Sequence, residues 1–338
     1  MLLSCITDCF LLILIVFYFH TYNIYIYIYI MKYNLNTYYN KHKNKPIVGI
    51  IPPPMITNDI YEQFLYLNDG YIKFLRSIKI NMVIIPYNIS NNELEYYLKN
   101  IDGLFFSGAR IGNYNQEKEF INQYKFIDYV LKKAINLNKK GRIFPIYASC
   151  HGIQSIIKTA EKHSDKNDDL FVSLDAVNYK AKIQFINNNS NNINKYTKYN
   201  NKIVIHDCTF GITLSKFYKT KYLQHEYNVI AVGRDRRNKK FVEFIKHKTF
   251  PIYAFQCHPE ESPVGLLDEF IESLYKSHIL RSRLNKIFKL KSKKFVPNKL
   301  SFKTKLCKNL RPKLINVVTN QLRRQTRKNT KCHIIKIK

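Results

Sequence analysis

Tryptophan is absent from this chain, while Asn, Lys, Ile and Tyr crowd every segment. A bias spread that evenly reads as genome composition and carries little functional weight. Paired cysteines are also lacking. The seven present (Cys5, Cys9, Cys150, Cys208, Cys257, Cys307 and Cys332) are odd in number and include no C-x-x-C. That excludes a disulfide framework and leaves Cys150 as the thiol whose surroundings ask for a chemical explanation. Acidic residues are scarce, 24 Asp and Glu against 55 Lys and Arg, for a net charge of +31. The shortage is local. From Leu280 to the C-terminus there are 20 Lys and Arg and no Asp or Glu, so the rest of the chain carries only +11. The tail 280–338 therefore reads as a solvated, disordered segment, or as a binder of an anionic surface, membrane or nucleic acid. No signature of a nucleic-acid-binding fold narrows that choice.

Residues 1–31 are almost wholly apolar, with a run from Phe10 to Phe19 of signal-peptide length. No Lys or Arg precedes the run and no A-x-A-like site comes after it. An uncleaved anchor, an atypical signal peptide and a true start at Met31 all remain open, and a secretory or anchoring role is favoured. Vacuolar, lysosomal or extracellular delivery would result from it, and a cytoplasmic location from a start at Met31. The lysines just beyond (Lys32, Lys41, Lys43 and Lys45) would oppose translocation of the downstream chain.

From Lys45 the pattern is that of an α/β domain, and 46% hydrophobic content is ample for its core. Short apolar runs at 45–51, 82–86, 102–106 and 143–148 read as buried strands. Helical spacing is expected over Tyr61–Ile80, Asn91–Asn100 and Glu117–Asn138. The alternation predicts a mostly parallel sheet covered on both faces. The polar, Asn-rich stretch from about 165 to 201 reads as an insertion or loop. Further runs occur at 202–217, 228–234, 240–245 and 250–260, then a closing helix from Pro263 to Ser277.

Three features at strand ends carry chemistry. The strand IFPIYA runs into Ser149-Cys150-His151-Gly152, with a helix expected at once. A thiol on such a turn sits over a helix N-terminus, whose N–H groups and positive dipole end favour a thiolate and a developing oxyanion. By itself a lone Cys is more often a buried core residue. A second strand, PIYAF, leads into Gln256-Cys257-His258-Pro259-Glu260, which supplies a general base and a carboxylate to orient it. Third, Ser107-Gly108-Ala109 comes after GLFF and offers backbone N–H groups, though strand-Ser-Gly is also an ordinary turn.

The order KPIVGII, DGLFFSGA, FPIYASCHGIQ, FGITLSKF and FPIYAFQCHPE resembles the gamma-glutamyl hydrolase family, within the class I glutamine-amidotransferase-like group. The resemblance covers residues 45–278. It implies a flavodoxin-like three-layer α/β/α sandwich, and cysteine-dependent cleavage of γ-glutamyl amides, folate poly-γ-glutamate tails above all. It also implies a small-molecule substrate, no cofactor or metal, and a possible homodimer. The roles it implies are Cys150 as nucleophile, His258 as base, Glu260 as its orienting partner, and backbone N–H groups of Ala109 and His151 as oxyanion donors. Gly108, Gln154 and Cys208 would meet the substrate. A zinc site on Cys257 and His258 is disfavoured, because adjacent ligands have no second pair. Departures from the family pattern are Ala109 for Gly, Cys257 for an aromatic residue, His151 after the nucleophile, and Cys208 where a His is usual, with His206 two residues away. Gln154 favours a glutaminase or γ-glutamyl-amine hydrolase as the alternative. Ala109 and Cys208 motivate a further one, a catalytically inactive binding homologue with the basic tail as its working part.

Overall fold

The structure is a computed structural model and describes residues 45–55, 64–108, 118–161, 170–186, 194–261, 265–287 and 332–336. The apolar segment 1–31, Ala109 and most of the basic tail lie outside the described residues.

The elements in chain order begin with strands β1 (Ile47–Ile51), β2 (Pro54–Met55) and β3 (Phe64–Asn68), then helix α1 (Asp69–Ser77). Next come β4 (Asn81–Ile84), α2 (Asn91–Asn100), β5 (Gly103–Phe106), α3 (Lys118–Lys139), β6 (Ile146–Ser149) and α4 (His151–Glu161). The second half runs β7 (Val172–Lys182), β8 (Gln184–Phe185), β9 (Ile203–Gly211), α5 (Leu214–Lys219), α6 (Lys221–Glu226), β10 (Tyr227–Arg234) and β11 (Lys240–His247). It ends with β12 (Ile252–Phe255), α7 (Asp268–Ile287) and β13 (Cys332–Lys336).

Eight strands form one sheet in the order β4-β1-β5-β6-β12-β11-β10-β8. The first five are parallel, and β11, β10 and β8 extend them antiparallel. Numbered 1 to 5 along the chain, the parallel strands stand as 2-1-3-4-5, the flavodoxin-like order. The central parallel strands β1, β5, β6 and β12 are buried along their whole length because both faces are covered. Ile47, Leu104, Ile146 and Ile252 pack with α2, α3 and α4, whereas Val48, Phe105, Tyr147 and Phe255 pack with α1 and α7. This is the expected three-layer α/β/α sandwich with a mostly parallel sheet. No described helix is long and apolar enough to cross a membrane.

Three expectations need correction. The helix read over Tyr61–Ile80 starts only at Asp69. Asn68 caps it, its side chain accepting from the Gly70 N–H at 2.8 Å, and Phe64–Asn68 before it is a strand paired with β2 and β13. Burial of both Leu65 and Leu67, two residues apart, fits the strand period. The stretch read as a loop over 165–201 contains β7, an 11-residue strand paired antiparallel with β9. Leu174 and Ala176 are the buried positions of β7, and Ser173, Asp175, Asn178, Lys180 and Lys182 interrupt it, so it lacks the continuous apolar run that marked the central strands. Finally, the closing helix does not stop at Ser277. It continues to Ile287, and Cys332–Lys336 pairs with β3, so the tail is not uniformly unstructured.

Candidate active site

Adjacent parallel strands β5, β6 and β12 end at one edge of the sheet, and each delivers one part of the site. Gly108 comes just after β5, Cys150 after β6 and His258 after β12. The carboxyl ends of strands in an open α/β sheet are where such folds place their ligands.

Cys150 is the single residue between β6 and α4, with φ +54°, in the left-handed region that is strained for a non-glycine side chain. Its N–H is fixed by the Phe255 carbonyl of β12 at 2.8 Å, and its Sγ lies 3.8 Å from the Asp207 carbonyl of β9. His151 opens α4, so its backbone N–H stands at the positive end of that helix, beside the thiol. Gly152 allows this turn to form. A Cβ there would sit 2.2 Å from the Phe106 carbonyl oxygen.

His258 Nδ1 donates to Glu260 Oε1 at 2.7 Å, since a carboxylate oxygen only accepts. That tautomer leaves Nε2 to act as the base, and among the described residues Nε2 is buried without a hydrogen-bond partner. Burial alone depresses the His258 pKa, but the Glu260 carboxylate and then Cys150 outweigh it, and the net is well above the ordinary imidazole value. Glu260 Oε2 accepts from Tyr147 Oη at 3.0 Å and from Ser149 Oγ at 3.3 Å. The His-bearing turn is braced from beneath. The His258 N–H donates to the Ile205 carbonyl, the Cys257 N–H to Glu243 Oε1 at 2.7 Å, and Glu243 Oε2 pairs with His206 Nε2 at 2.6 Å. Burial would raise the Glu243 pKa, yet His206 and the Cys257 donors hold it below the ordinary range.

The other expected residues divide. Gly108 is at the site: a Cβ on it would meet Tyr71 Oη at 2.4 Å and the Cys150 Cβ at 2.9 Å. Cys208 packs with Cys150, Leu174, Ala176 and Phe241, and burial pushes its thiol pKa well up. The His151 side chain turns away to Gln123 Oε1 at 2.9 Å, and burial lowers its pKa to about 3, so it adds no charge to the site. Gln154 Nε2 donates to the Phe210 carbonyl at 2.7 Å and lies 3.4 Å from Gln256 Oε1, which ties α4 to β9. Ala109 lies outside the described residues. Cys257 is buried in the layer of α1 and α7 rather than at the site.

Sequence reasoning missed Tyr71, Tyr147 and Ser149. In the sequence both tyrosines serve as apolar positions of a helix and a strand, and nothing there marks where their hydroxyls point. His258, Glu260 and Glu261 also bring ligand atoms within 4.8 Å of one another, as a cation would need, but His258 Nδ1 and Glu260 Oε1 are engaged with each other.

Among known proteins, gamma-glutamyl hydrolase B of Dictyostelium discoideum is 29% identical over 236 residues, covering 66% of this chain and 65% of its own. Gamma-glutamyl hydrolase 1 of Arabidopsis thaliana is 24% identical over 235 residues, with 64% and 63% covered. The chain thus spans a little under two thirds of the length of these relatives. The glutaminase domain of Trypanosoma brucei CTPS superposes with a TM-score of 0.46 at 13% identity, over 71% of this chain and 94% of that one. The Peptidase C26 family model matches residues 46–260, a span that includes Gly108, Cys150, His258 and Glu260, and the chain belongs to that family.

Proposed function

We propose that this protein hydrolyses γ-glutamyl amide bonds through a Cys150 thioester, with folate poly-γ-glutamate tails as substrate. The observation that carries the reading is the left-handed Cys150 turn on the same sheet edge as a His258–Glu260 pair that leaves the imidazole Nε2 uncommitted among the described residues. Membership of the Peptidase C26 family and relatives named gamma-glutamyl hydrolase support it.

In this reading Cys150 Sγ attacks the side-chain carbonyl carbon of a γ-linked glutamate while His258 Nε2 takes the thiol proton. The oxyanion is received by the backbone N–H of His151, and the family resemblance gives Ala109, outside the described residues, as the second donor. His258 passes its proton to the leaving amine as the C–N bond breaks. Water, deprotonated by the same nitrogen, then attacks the thioester, releasing the γ-carboxylate and restoring the thiol. Glu260 keeps the ring in the Nδ1–H tautomer throughout. The glutaminase alternative rested on Gln154, and its Nε2 is committed to the Phe210 carbonyl.

The test is turnover of a short pteroyl poly-γ-glutamate by the full chain beside Cys150→Ala, with glutamine and γ-glutamyl amines as comparison substrates. Release of glutamate or shortened chains that vanishes in the variant is expected. Faster turnover of glutamine would move the assignment to a glutaminase, and a folded protein inert on all three would defeat it.

A further inference from the structure

Tyr71, on α1, reaches the centre of the site with its ring 1% exposed. Its hydroxyl oxygen accepts the Gly108 N–H at 3.0 Å and stands 3.3 Å from His258 Nδ1 and 3.5 Å from Ser149 Oγ. The ring stacks beside the imidazole, with centroids 6.1 Å apart and planes 27° apart. The protons can be placed one by one. His258 Nδ1 already carries the hydrogen it gives to Glu260, so the Tyr71 proton goes to Ser149 Oγ. Ser149 in turn donates to the Cys257 carbonyl at 3.1 Å or to Glu260 Oε2 at 3.3 Å. A single directional chain thus runs from Gly108 N–H through Tyr71 and Ser149 to the turn that bears His258. The second lone pair of the Tyr71 oxygen faces the Nδ1–H, which it shares with Glu260.

We infer that Tyr71 is a positioning residue for this reaction: its hydroxyl locks the turn after β5 to the His258 turn, fixing the oxyanion side and the base side relative to Cys150. The inference rests on the proposed cysteine hydrolase reading. Burial, then the nearby Glu260 and Cys150, raise the Tyr71 pKa well above its ordinary value, so the hydroxyl keeps its proton over the working range. The glycine at 108 belongs to the same device, since any Cβ would displace the Tyr71 oxygen.

The experiment is Tyr71→Phe in the full chain, which keeps the ring and removes one oxygen. Two quantities are measured: the rate of Cys150 alkylation by iodoacetamide as a function of pH, and kcat and KM on the pteroyl poly-γ-glutamate. The titratable groups around His258 are Cys150, Glu260, Glu261 and Tyr71, with Tyr147 behind Glu260. Loss of the Tyr71 oxygen leaves the Nδ1–H with Glu260 alone and disfavours the imidazolium. The alkylation profile is therefore expected to move to higher pH. kcat is expected to fall about 10- to 100-fold, with KM within about threefold of wild type. An unchanged alkylation profile in a folded variant overturns the inference, whatever the substrate proves to be. Wild-type protein that alkylates normally yet fails on every γ-glutamyl substrate would instead defeat the proposed function, leaving the alkylation comparison to decide the role of Tyr71.

Discussion

Cys150 pays for its position with a left-handed backbone at φ +54°, and the neighbouring residues hold it there. Its N–H is bonded to β12, and Gly152 lets the first turn of α4 press against the Phe106 carbonyl. Gly152→Ala would force a methyl group to 2.2 Å from that oxygen. A loss of about 1–3 kcal/mol is expected for such overpacking. Denaturant midpoints would report it, and because the strain falls on the nucleophile turn, Cys150 alkylation should slow even where the variant remains folded. A variant with wild-type stability and alkylation would show that the turn relaxes freely. Where the sequence signal is local, the structure keeps the residue at the expected place in the fold: Cys150 and His258 each come just after a buried strand. Gln154 and His151 show the limit. Both are near the nucleophile in sequence, yet both side chains are engaged within the fold, with Phe210 and Gln123.

Among the elements, the β7 half of the β7–β9 ribbon is what the sequence hid. The ribbon supplies Leu174, Ala176 and Cys208 to the surroundings of Cys150, and the Asp207 carbonyl to its sulfur. The register of β7 shifts twice along β9, and Arg236 fastens the irregular stretch. Its guanidinium donates to the carbonyls of Val177 at 2.7 Å and Asn178 at 3.1 Å, pairs with Asp175 at 3.0 Å, and lies over the Tyr179 ring. Arg236 is two-fifths exposed, so the ion pair itself adds little, and the carbonyl bonds matter more. In Arg236→Ala, amide exchange over Val172–Lys182 is expected to quicken about tenfold, with little change in global stability. Equal protection in both proteins would assign the ribbon's order to β9 alone. Cys208 stays a neutral thiol in this wall, so if the ribbon contacts substrate it does so there through shape rather than charge.

Across the molecule as a whole, α7 runs from beside Tyr147 to the opposite edge of the sheet, where Asp102 precedes β5. Asp102, buried just before β5, accepts from Arg281 Nε at 2.6 Å and Nη2 at 3.0 Å, from the Ile47 N–H at 2.8 Å, and faces His278 Nδ1 at 3.1 Å. Burial would raise the Asp102 pKa, but His278 and Arg281 reverse this and hold it below the ordinary carboxylate value. A domain boundary drawn at 278 from sequence therefore cuts the latch. A chain ended after residue 279 is expected to be about 3 kcal/mol less stable than one ended after residue 287, because it leaves a buried carboxylate without its guanidinium. The sign with pH is fixed by the depressed folded-state pKa. The latch contributes fully above the unfolded carboxylate pKa and is lost as pH falls through the folded one, so the gap between the two chains should narrow in acid. A gap independent of pH would assign the effect to helix length instead.

Near neighbours along the chain were enough to specify the pattern of the fold. Apolar strands alternating with amphipathic helices dictate a parallel sheet with two covered faces. The same strands carry Cys150, His258 and Glu260 to their ends, so the candidate triad was legible in the order of residues alone. Everything that depends on distant partners had to wait for the folded chain. Tyr71 and His258 are 187 residues apart, and Asp102 and Arg281 are 179 apart. A buried tyrosine reads as apolar until the acceptor of its hydroxyl is known, and a strand such as β7, with two buried side chains, carries too few apolar residues to stand out. Direction and partnership of polar groups are set by packing, and packing is not written at any single position.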